Sequence, residues 1–291
     1  MERRSVIKNI ISATAVAGTA SLLPGAVLAG KKEKPLKYKG HINHSVCRWC
    51  FGDLSVADLC KAVKEIGFAA IDLAGPKDWP ILKEHGVYSS MCNGAEINLM
   101  DGFADKKFHP KLIENYTRLI PMVAGAGYKN LICFSGNRRG MYDETGWNNC
   151  AEGLKKLTPL AEKHGVMLVM ELLNSKIDHK DYMCDRTAWG AELCKRVGSE
   201  NFKLLYDIYH MQIDEGDVIH TIKTFNQYIA HYHTAGVPGR HELDEEQELY
   251  YPAIMRAIAA TGFKGYVAQE FIPVKADKLK SLKDAVALCD I

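Results

Sequence analysis

The chain has 291 residues, of which 47% are hydrophobic and 25% are charged, and its formal net charge is +2 at pH 7. These proportions are ordinary for a water-soluble globular protein. Arg3, Arg4 and Lys8, set against Glu2, account for the whole net charge, so the residues after the first 29 are formally neutral. A neutral domain lacks the basic field that attracts nucleic acids, and we expect no nucleic-acid partner.

The first 29 residues are typical of an export signal. Arg3-Arg4 and Lys8 precede an apolar run of small residues from position 10 to position 23, and a small-residue cleavage site precedes Gly30. The paired arginines resemble a twin-arginine signal, which predicts a periplasmic or exported protein with no stable membrane span after cleavage. The apolar run is short for a membrane helix. A membrane anchor, a disordered tail and a cytoplasmic location are the alternatives.

A charged linker over residues 30–40 is followed by a regular alternation of strands and helices. Short apolar runs predict strands over residues 41–46, 68–73, 86–91, 130–134, 166–171, 202–206, 228–233 and 265–270. Apolar residues at helical spacing predict helices over residues 55–66, 79–85, 110–124, 147–164, 185–197, 218–225, 251–260 and 278–288. Residues 93–109 show little periodicity, and we expect them to form a long loop over the site.

The alternation of strands and helices sets the expected fold class. Units of about 25–40 residues that each pair a strand with a helix predict a parallel α/β sheet. The absence of a Gly-x-Gly-x-x-Gly fingerprint favours a closed barrel over a doubly wound sheet. Residues 41–291 contain no linker-like segment, and a (β/α)8 barrel typically needs about 250 residues. We therefore expect one catalytic domain over residues 41–291, with the α/β fold of a (β/α)8 TIM barrel.

Nine cysteines are scattered through apolar segments. An odd number without regular spacing does not indicate a disulfide framework. Cys47 and Cys50 have the spacing of a redox motif, but no thioredoxin-like pattern follows them. We expect unpaired thiols near the mouth of the barrel, with a Cys47–Cys50 disulfide and a zinc site as the alternatives.

Four polar residues stand at the ends of four consecutive predicted strands. Glu171, Asp207, His233 and Glu270 close the fifth to eighth strands, one to each unit. Adjacent strands lie about 5 Å apart, so three carboxylates and one imidazole should surround one point at the barrel mouth. Crowded carboxylates repel one another unless a cation holds them, and oxygen-rich ligation with one imidazole favours Mg2+, Mn2+ or Co2+ over zinc. For each residue taken singly, a solvated loop position or a helix cap is the alternative.

The segment Tyr206-Asp-Ile-Tyr-His-Met-Gln212 resembles the corresponding strand of the hydroxypyruvate isomerases, which belong to the xylose-isomerase-like TIM barrels of sugar isomerases and epimerases. The resemblance covers most of the chain after the leader and is strongest from Glu171 to Glu270. It implies that Glu171, Asp207, His233 and Glu270 bind the metal and that the two glutamates also transfer the substrate proton. One departure concerns the seventh strand, where hydroxypyruvate isomerases often carry Gln. Ketose 3-epimerases carry His there, as this chain does.

Two further residues are implied in substrate binding. Arg240 stands in the loop after the seventh strand, where the resembled isomerases place an Arg, and its planar fork suits a substrate carboxylate. A surface ion pair with Glu242 is the alternative. His210 is expected one helical turn after the sixth strand, either as a donor to a substrate oxygen or as a packed, satisfied His. Asn174 and His179, which follow the fifth strand, are weaker candidates.

The implied reaction is metal-assisted aldose–ketose isomerisation of a small hydroxy-acid, hydroxypyruvate to tartronate semialdehyde, by enediolate proton transfer. A ketose 3-epimerase or an isomerase of a larger sugar would use the same four ligands. A nuclease of the endonuclease IV type would need extra His and Glu ligands at strands two and three, whose ends read Leu73-Ala74 and Met91-Cys92. A non-enzymatic carbohydrate-binding barrel is the alternative if no metal binds. The expected partner is a small molecule, and an oligomer is left open.

Overall fold

The computed structural model describes residues 35–291. The expected export signal, its cleavage site and the first part of the expected linker lie outside the described residues. Within residues 35–291, no helix is long and apolar enough to cross a membrane. The Leu36 amide donates to the Ile66 carbonyl at 2.8 Å, and the Lys39 amide donates to the Asp290 carboxylate at 3.0 Å. The described part of the expected linker is therefore held against the domain that follows it.

In the described part of the chain, eight short strands pair in parallel. They are β1 (Asn43–Val46), β2 (Ala70–Ile71), β3 (Tyr88–Ser89), β4 (Asn130–Cys133), β5 (Met167–Glu171), β6 (Phe202–Asp207), β7 (Ile229–Thr234) and β8 (Tyr266–Gln269). Six of them form one sheet in the order β1-β8-β7-β6-β5-β4, and β2 pairs with β3. Most of their residues are buried, as the near-continuous apolar runs predict for parallel strands covered on both faces.

Single backbone bridges join the β2–β3 pair to the six-stranded sheet. Cys47 pairs with Asp72 between β1 and β2, and Cys92 pairs with Leu131 between β3 and β4. The Asp72 amide donates to the Val46 carbonyl at 2.7 Å, which strengthens the first of these junctions. The sheet is therefore closed, and the expected (β/α)8 TIM barrel is confirmed.

Helices follow the strands and cover the outside of the barrel. They are α1 (Val56–Ile66), α2 (Trp79–Glu84), α3 (His109–Gly125), α4 (Asp143–Lys155), α5 (Thr158–His164), α6 (Thr187–Val197), α7 (Ile208–Asp214), α8 (Val218–Phe225), α9 (Tyr251–Ala260) and α10 (Lys278–Cys289). Helix α1 shows how the sequence sets their limits. The Ser55 hydroxyl accepts the Asp58 amide at its start, Leu59 and Val63 are buried on its inner face, and Gly67 follows its last turn with a φ of 123°.

The helices differ from the prediction at two places in the chain. The prediction of one helix over residues 147–164 is wrong, because α4 ends at Lys155 and α5 begins at Thr158. Pro159 lacks an amide proton, and in a continuous helix its ring would clash with the carbonyl four residues earlier. Helix α7 was not predicted, because it is short and follows the apolar strand β6 without a break.

The long loop after β3 crosses the carboxyl end of β4. Gly102, in this loop, lies so close to the β4 end that a Cβ atom on it would come within 2.4 Å of the Phe134 carbonyl oxygen and the Gly136 amide nitrogen. The Ala104 amide donates to the Ser135 carbonyl at 2.7 Å. Only a glycine at position 102 allows the two backbone segments to approach this closely.

All nine cysteines are buried and carry free thiols. The prediction of unpaired cysteines is therefore confirmed, and Cys47 and Cys50 do not form a disulfide in this structure. Burial raises the pKa of these thiols, for example to about 12 for Cys92 and Cys289. Cys47 lies at the mouth of the barrel, with its Sγ 3.7 Å from Nε2 of His233.

Candidate active site

Glu171, Asp207, His233 and Glu270 come together at the carboxyl end of the barrel. Glu171 ends β5, Asp207 ends β6, His233 lies one residue before the end of β7, and Glu270 directly follows β8. All four are buried, and one potential ligand atom from each lies within 4.8 Å of those of the other three. We refer to these four residues as the strand-end cluster. The structure thus brings together the residues predicted from strand-end position, and their roles stay predictions.

His233 has two different neighbourhoods on its two ring nitrogens. Its Nδ1 faces the cluster and lies 3.1 Å from Glu171 Oε1 and 2.9 Å from Glu270 Oε2. Its Nε2 faces away from the cluster and lies 3.0 Å from Asp72 Oδ1. The nitrogen that faces the cluster is therefore Nδ1, and it is the one placed to bind a metal ion.

Asp207 has a structural role as well as its place in the cluster. Its Oδ1 accepts the backbone amides of Tyr209 and His210 at 2.8 and 3.3 Å and so caps the start of α7. Its Oδ2 lies 3.5 Å from Nη2 of Arg240. The helix-cap alternative is thus correct for one carboxylate oxygen, and the other oxygen remains available to the cluster.

Arg240 reaches into the cluster from the loop after β7. Its Nη2 donates to Glu270 Oε2 at 2.5 Å. The expected alternative, a surface pair with Glu242, does not form, because the Glu242 carboxylate accepts the Val274 and Lys275 amides instead. Arg240 has a positive φ of 60°, a conformation that non-glycine residues rarely adopt. The backbone of this loop is therefore shaped to direct the guanidinium toward the site.

Two aromatic rings enclose the Arg240 side chain. The guanidinium carbon lies 5.2 Å from the Trp49 ring centre and 5.3 Å from the Tyr209 ring centre. Trp49 also donates from Nε1 to Glu270 Oε1 at 2.8 Å. The Nε atom of Arg240 is buried and has no hydrogen-bond partner among the described residues. An anionic group that enters the site would find this donor free.

His210 lies on α7, fully buried next to the cluster. The Asn174 side-chain amide donates to His210 Nδ1 at 2.6 Å, and the His179 ring centre lies 5.2 Å from that of His210. Burial, and then the charge of Arg240, lower the pKa of His210 well below its usual value. The ring is therefore neutral at pH 7 with its proton on Nε2, which lies 3.5 Å from Asp207 Oδ2.

The cluster holds more negative than positive charge. Burial, and then the charge of Glu270, raise the pKa of Glu171; burial also raises the pKa of Asp207 well above its usual value, although Arg240 opposes this. Burial would raise the pKa of Glu270 too, but His233 and Arg240 hold it well below its usual range. The surroundings of Glu171 and Asp207 therefore hold too little positive charge to stabilise both carboxylates in their ionised form. A divalent cation would supply it, and carboxylate oxygens with one imidazole nitrogen fit Mg2+, Mn2+ or Co2+.

A pocket of about 530 Å³ opens beside the cluster. Arg240, Tyr209 and His179 line its polar part, and Ile177 and Ile272 contribute apolar surface. We refer to it as the mouth pocket. Arg240 connects the two sites, because it lines this pocket and also contacts Glu270 of the strand-end cluster.

Sequence reasoning missed three residues at this site. Trp49 follows β1, Asp72 follows β2, and His231 lies in β7 with its Nε2 2.8 Å from Asp72 Oδ2. Two signals for them were present in the sequence. Asp72 is a lone charge at the end of an apolar run, and His231 lies two residues before His233, which puts both on the same face of a strand.

Several curated relatives carry the names of isomerases. A 2-oxo-tetronate isomerase from Cupriavidus necator is 37% identical over 122 residues, which are 42% of this chain and 46% of the relative. A 2-oxo-tetronate isomerase from Pectobacterium atrosepticum is 26% identical over 241 residues, 77% of this chain and 88% of the relative. A human protein named as a candidate hydroxypyruvate isomerase is 29% identical over 131 residues, 45% of this chain and 47% of the relative. The first and third matches thus span about half the length of the relatives.

Solved structures share the fold. A crystal structure of AP endonuclease, family 2, from Brucella melitensis superposes with a TM-score of 0.74 over 84% of this chain and 97% of that chain, at 22% sequence identity. A family model described as Xylose isomerase-like TIM barrel matches residues 60–288, which is well over half of the chain. The chain therefore belongs to the xylose isomerase-like TIM barrel family.

Proposed function

We propose that the chain is a metal-dependent isomerase of a small hydroxy-acid, with the conversion of hydroxypyruvate to tartronate semialdehyde as the first candidate reaction. The observation that carries this proposal is the strand-end cluster with Arg240 at its side. The relatives named for 2-oxo-tetronate and hydroxypyruvate support it, because both of these compounds are small acids with a carbonyl group beside a hydroxyl-bearing carbon.

The strand-end cluster is the proposed site of one divalent cation, Mg2+, Mn2+ or Co2+. When bound, the cation stabilises negative charge that develops on the substrate oxygens. Cys47 also lies near His233 and Glu270. Three carboxylates with one imidazole nevertheless favour an oxygen-preferring ion over zinc.

Glu171 and Glu270 are the proposed proton carriers. Isomerisation moves one proton from the carbon that bears the hydroxyl group to the neighbouring carbonyl carbon, and a second proton from the hydroxyl oxygen to the carbonyl oxygen. Both carboxylates approach the same nitrogen of His233, so both face the same point of the site. One glutamate removes the proton and the other delivers it.

Arg240 is the proposed partner of the substrate carboxylate. Its Nη2 is already paired with Glu270, whereas its buried Nε is unpaired among the described residues. A buried donor without a partner costs free energy, which a bound carboxylate would recover. His210, whose Nε2 lies 3.5 Å from Asp207 Oδ2 at the edge of the cluster, is the proposed donor to a second substrate oxygen.

A ketose 3-epimerase is the second candidate. The mouth pocket, at about 530 Å³, is larger than a three-carbon acid needs. His233 in β7 also agrees with the epimerase pattern. A neutral sugar, however, would leave the Arg240 Nε without an anionic partner, and for this reason we place the acid first.

Two other candidates have less support. A nuclease of the endonuclease IV type would need further His and Glu ligands at the ends of β2 and β3, where the chain has Asp72 and Cys92 instead. A non-enzymatic carbohydrate-binding barrel would have no use for three buried carboxylates around one point.

The test is metal analysis of the purified protein combined with a substrate screen. We expect one divalent ion per chain in the wild type and loss of this ion in Asp207→Asn, because Asn keeps the cap of α7 but removes the charge. Asp284→Asn, which changes an exposed carboxylate on α10, is the control and should keep its metal. The screen compares hydroxypyruvate and four-carbon 2-oxo acids with neutral four- to six-carbon ketoses. Stoichiometric metal in Asp207→Asn would refute the metal site, and activity on neutral ketoses alone would favour the epimerase.

A further inference from the structure

The side of His233 that faces away from the strand-end cluster contacts a carboxylate that no step of the proposed reaction uses. Asp72 directly follows β2, and its side chain is fully buried. Its Oδ1 lies 3.0 Å from His233 Nε2. Asp72 lies behind His233 as seen from Glu171 and Glu270, because those two residues contact the other ring nitrogen.

The Asp72 carboxylate is held in place without the help of His233. Its Oδ2 accepts the Ser90 hydroxyl at 2.6 Å and lies 2.8 Å from His231 Nε2. Its backbone is fixed as well, because its amide donates to the Val46 carbonyl at 2.7 Å and its carbonyl accepts the Arg48 amide at 3.0 Å. Three strands therefore fix the position of Oδ1 before His233 is considered.

The buried position of the Asp72 carboxylate requires interactions that compensate for the loss of solvation. Burying a charge costs free energy that an apolar residue at the same place would not cost, and the cost is offset only by close partners. Ser90 and His231 account for Oδ2. Oδ1 has two polar neighbours, His233 Nε2 at 3.0 Å and the weak donor Cys47 Sγ at 3.6 Å. The strong interaction of Oδ1 is therefore the one with the imidazole.

We propose that Asp72 is the positioning residue that holds His233 with its proton on Nε2 and its Nδ1 lone pair directed at the metal site. A cation bound to Nδ1 takes the place of any proton between that nitrogen and Glu171 or Glu270, so the ring keeps a single proton, which Nε2 donates to Asp72. The carboxylate also fixes the ring plane and increases the electron density on Nδ1. This inference rests on the proposed function, because it takes His233 as a metal ligand.

The test compares Mn2+ binding to the wild type, Asp72→Asn and Ser90→Ala by titration calorimetry. Removing a carboxylate that orients a ligating His typically weakens metal binding about 10- to 100-fold, and we expect a rise of this size in the Kd of Asp72→Asn. Ser90→Ala removes a hydrogen bond to the same carboxylate without touching His233. It should lower thermal stability while changing the Kd by less than about tenfold, the lower bound for an orienting partner.

A second measurement does not depend on whether Asp72→Asn folds. In wild-type protein labelled with 15N-histidine and loaded with diamagnetic Mg2+, the His233 proton should appear on Nε2 as a downfield, slowly exchanging signal. The signal is assigned by its absence in His233→Gln. A His233 proton on Nδ1 in the loaded protein would overturn the proposal.

The outcomes separate this inference from the proposed function. If the wild type binds no Mn2+, both are wrong. If the wild type binds one Mn2+ and Asp72→Asn binds it equally well, the proposed function stands and the role of Asp72 is wrong. If the wild type binds two ions and Asp72→Asn binds one, Asp72 is itself a ligand, and the positioning role is likewise overturned.

Discussion

The β5–β8 side and the β1–β4 side of the barrel differ in how their strands are held. β5 to β8 have five, six, six and four residues, and neighbouring strands pair along most of their length. β2 and β3 have two residues each and are joined to β1 and β4 by single bridges. The whole strand-end cluster comes from the β5–β8 side. The pairing of β6 with β7, after a register shift between Leu204 and Leu205, places Asp207 directly opposite His233.

The β1–β4 side contributes groups that act on the cluster from outside it. Asp72 follows β2 and contacts His233, and Trp49 follows β1 and donates to Glu270. The comparison teaches that the ends of β5 to β8 carry the predicted ligands, whereas residues that follow β1 and β2 contact those ligands from across the barrel. Variants on the two sides should therefore fail in different ways.

The largest effect is expected on the β5–β8 side. Glu171→Gln keeps the size and an oxygen donor but removes the proposed proton carrier, and loss of a positioned acid or base typically lowers kcat by about 10²–10⁴-fold. Steady-state kinetics on hydroxypyruvate measure this, and circular dichroism should show an unchanged fold. Glu215→Gln, at the end of α7 and outside the cluster, is the control and should keep wild-type kcat. A Glu171→Gln enzyme that keeps more than about a tenth of kcat would contradict the role of Glu171.

On the β1–β4 side, Gly102→Ala should lower the stability of the fold without changing any residue of the proposed reaction. The new Cβ would meet the Phe134 carbonyl and the Gly136 amide at 2.4 Å, and neither backbone atom can move away cheaply. Overpacking of this kind costs about 1–3 kcal/mol, and calorimetry should show a Tm several degrees lower. Gly125→Ala, where a Cβ meets no atom within 4 Å, is the matched control. An unchanged Tm in Gly102→Ala would show that the loop after β3 moves freely.

Arg240 sharpens the comparison, because it follows β7 yet is predicted to act on substrate affinity. A charge-assisted hydrogen bond contributes about 1.5–3 kcal/mol, which is roughly a ten- to hundredfold change in affinity. We therefore expect Arg240→Met to raise KM for hydroxypyruvate by that factor, with a smaller fall in kcat. Arg186→Met, on the surface before α6, should leave KM unchanged. If Arg240→Met leaves hydroxypyruvate kinetics untouched, the acid substrate is wrong and the epimerase candidate replaces it.

The smallest effect is expected for Trp49→Phe. This change keeps an aromatic ring beside Arg240 but removes the donor to Glu270 Oε1. A hydrogen bond contributes about 0.5–1.5 kcal/mol on balance, which is roughly a three- to tenfold loss in kcat/KM. Trp147→Phe removes a comparable indole hydrogen bond far from the cluster and serves as the control. Equal kinetics for the two variants would mean that Trp49 has no influence on Glu270.

Much of the fold could be predicted from the sequence, because strand order in a parallel barrel follows chain order. All eight strands and the ends that carry the strand-end cluster were located from apolar runs and the polar residues that close them. The single helix expected over residues 147–164 failed because the apolar periodicity continues across Pro159, whereas the backbone does not. Helix α7 was missed because about two turns of amphipathic spacing cannot be told from the end of a buried strand.

The candidate site was predicted less completely than the fold. Each member of the strand-end cluster ends a strand and can be found by position, but Trp49 and Asp72 owe their place to contacts across the barrel. Trp49 lies 221 positions before Glu270, and Asp72 lies 161 positions before His233. Such pairs are set by closure of the sheet, which local periodicity does not describe. The direction of Arg240 likewise depends on a left-handed backbone residue that its sequence alone does not indicate.

The nine buried thiols give the folded chain a chemical property of its own. Alkylating reagents attack the thiolate, and here burial both shields each sulfur atom and raises its pKa. The native protein should therefore be unreactive toward iodoacetamide at neutral pH, whereas an unfolded molecule would react at nine positions spread from Cys47 to Cys289. Mass spectrometry after a short labelling pulse would then count opened molecules directly and show which part of the barrel opens first.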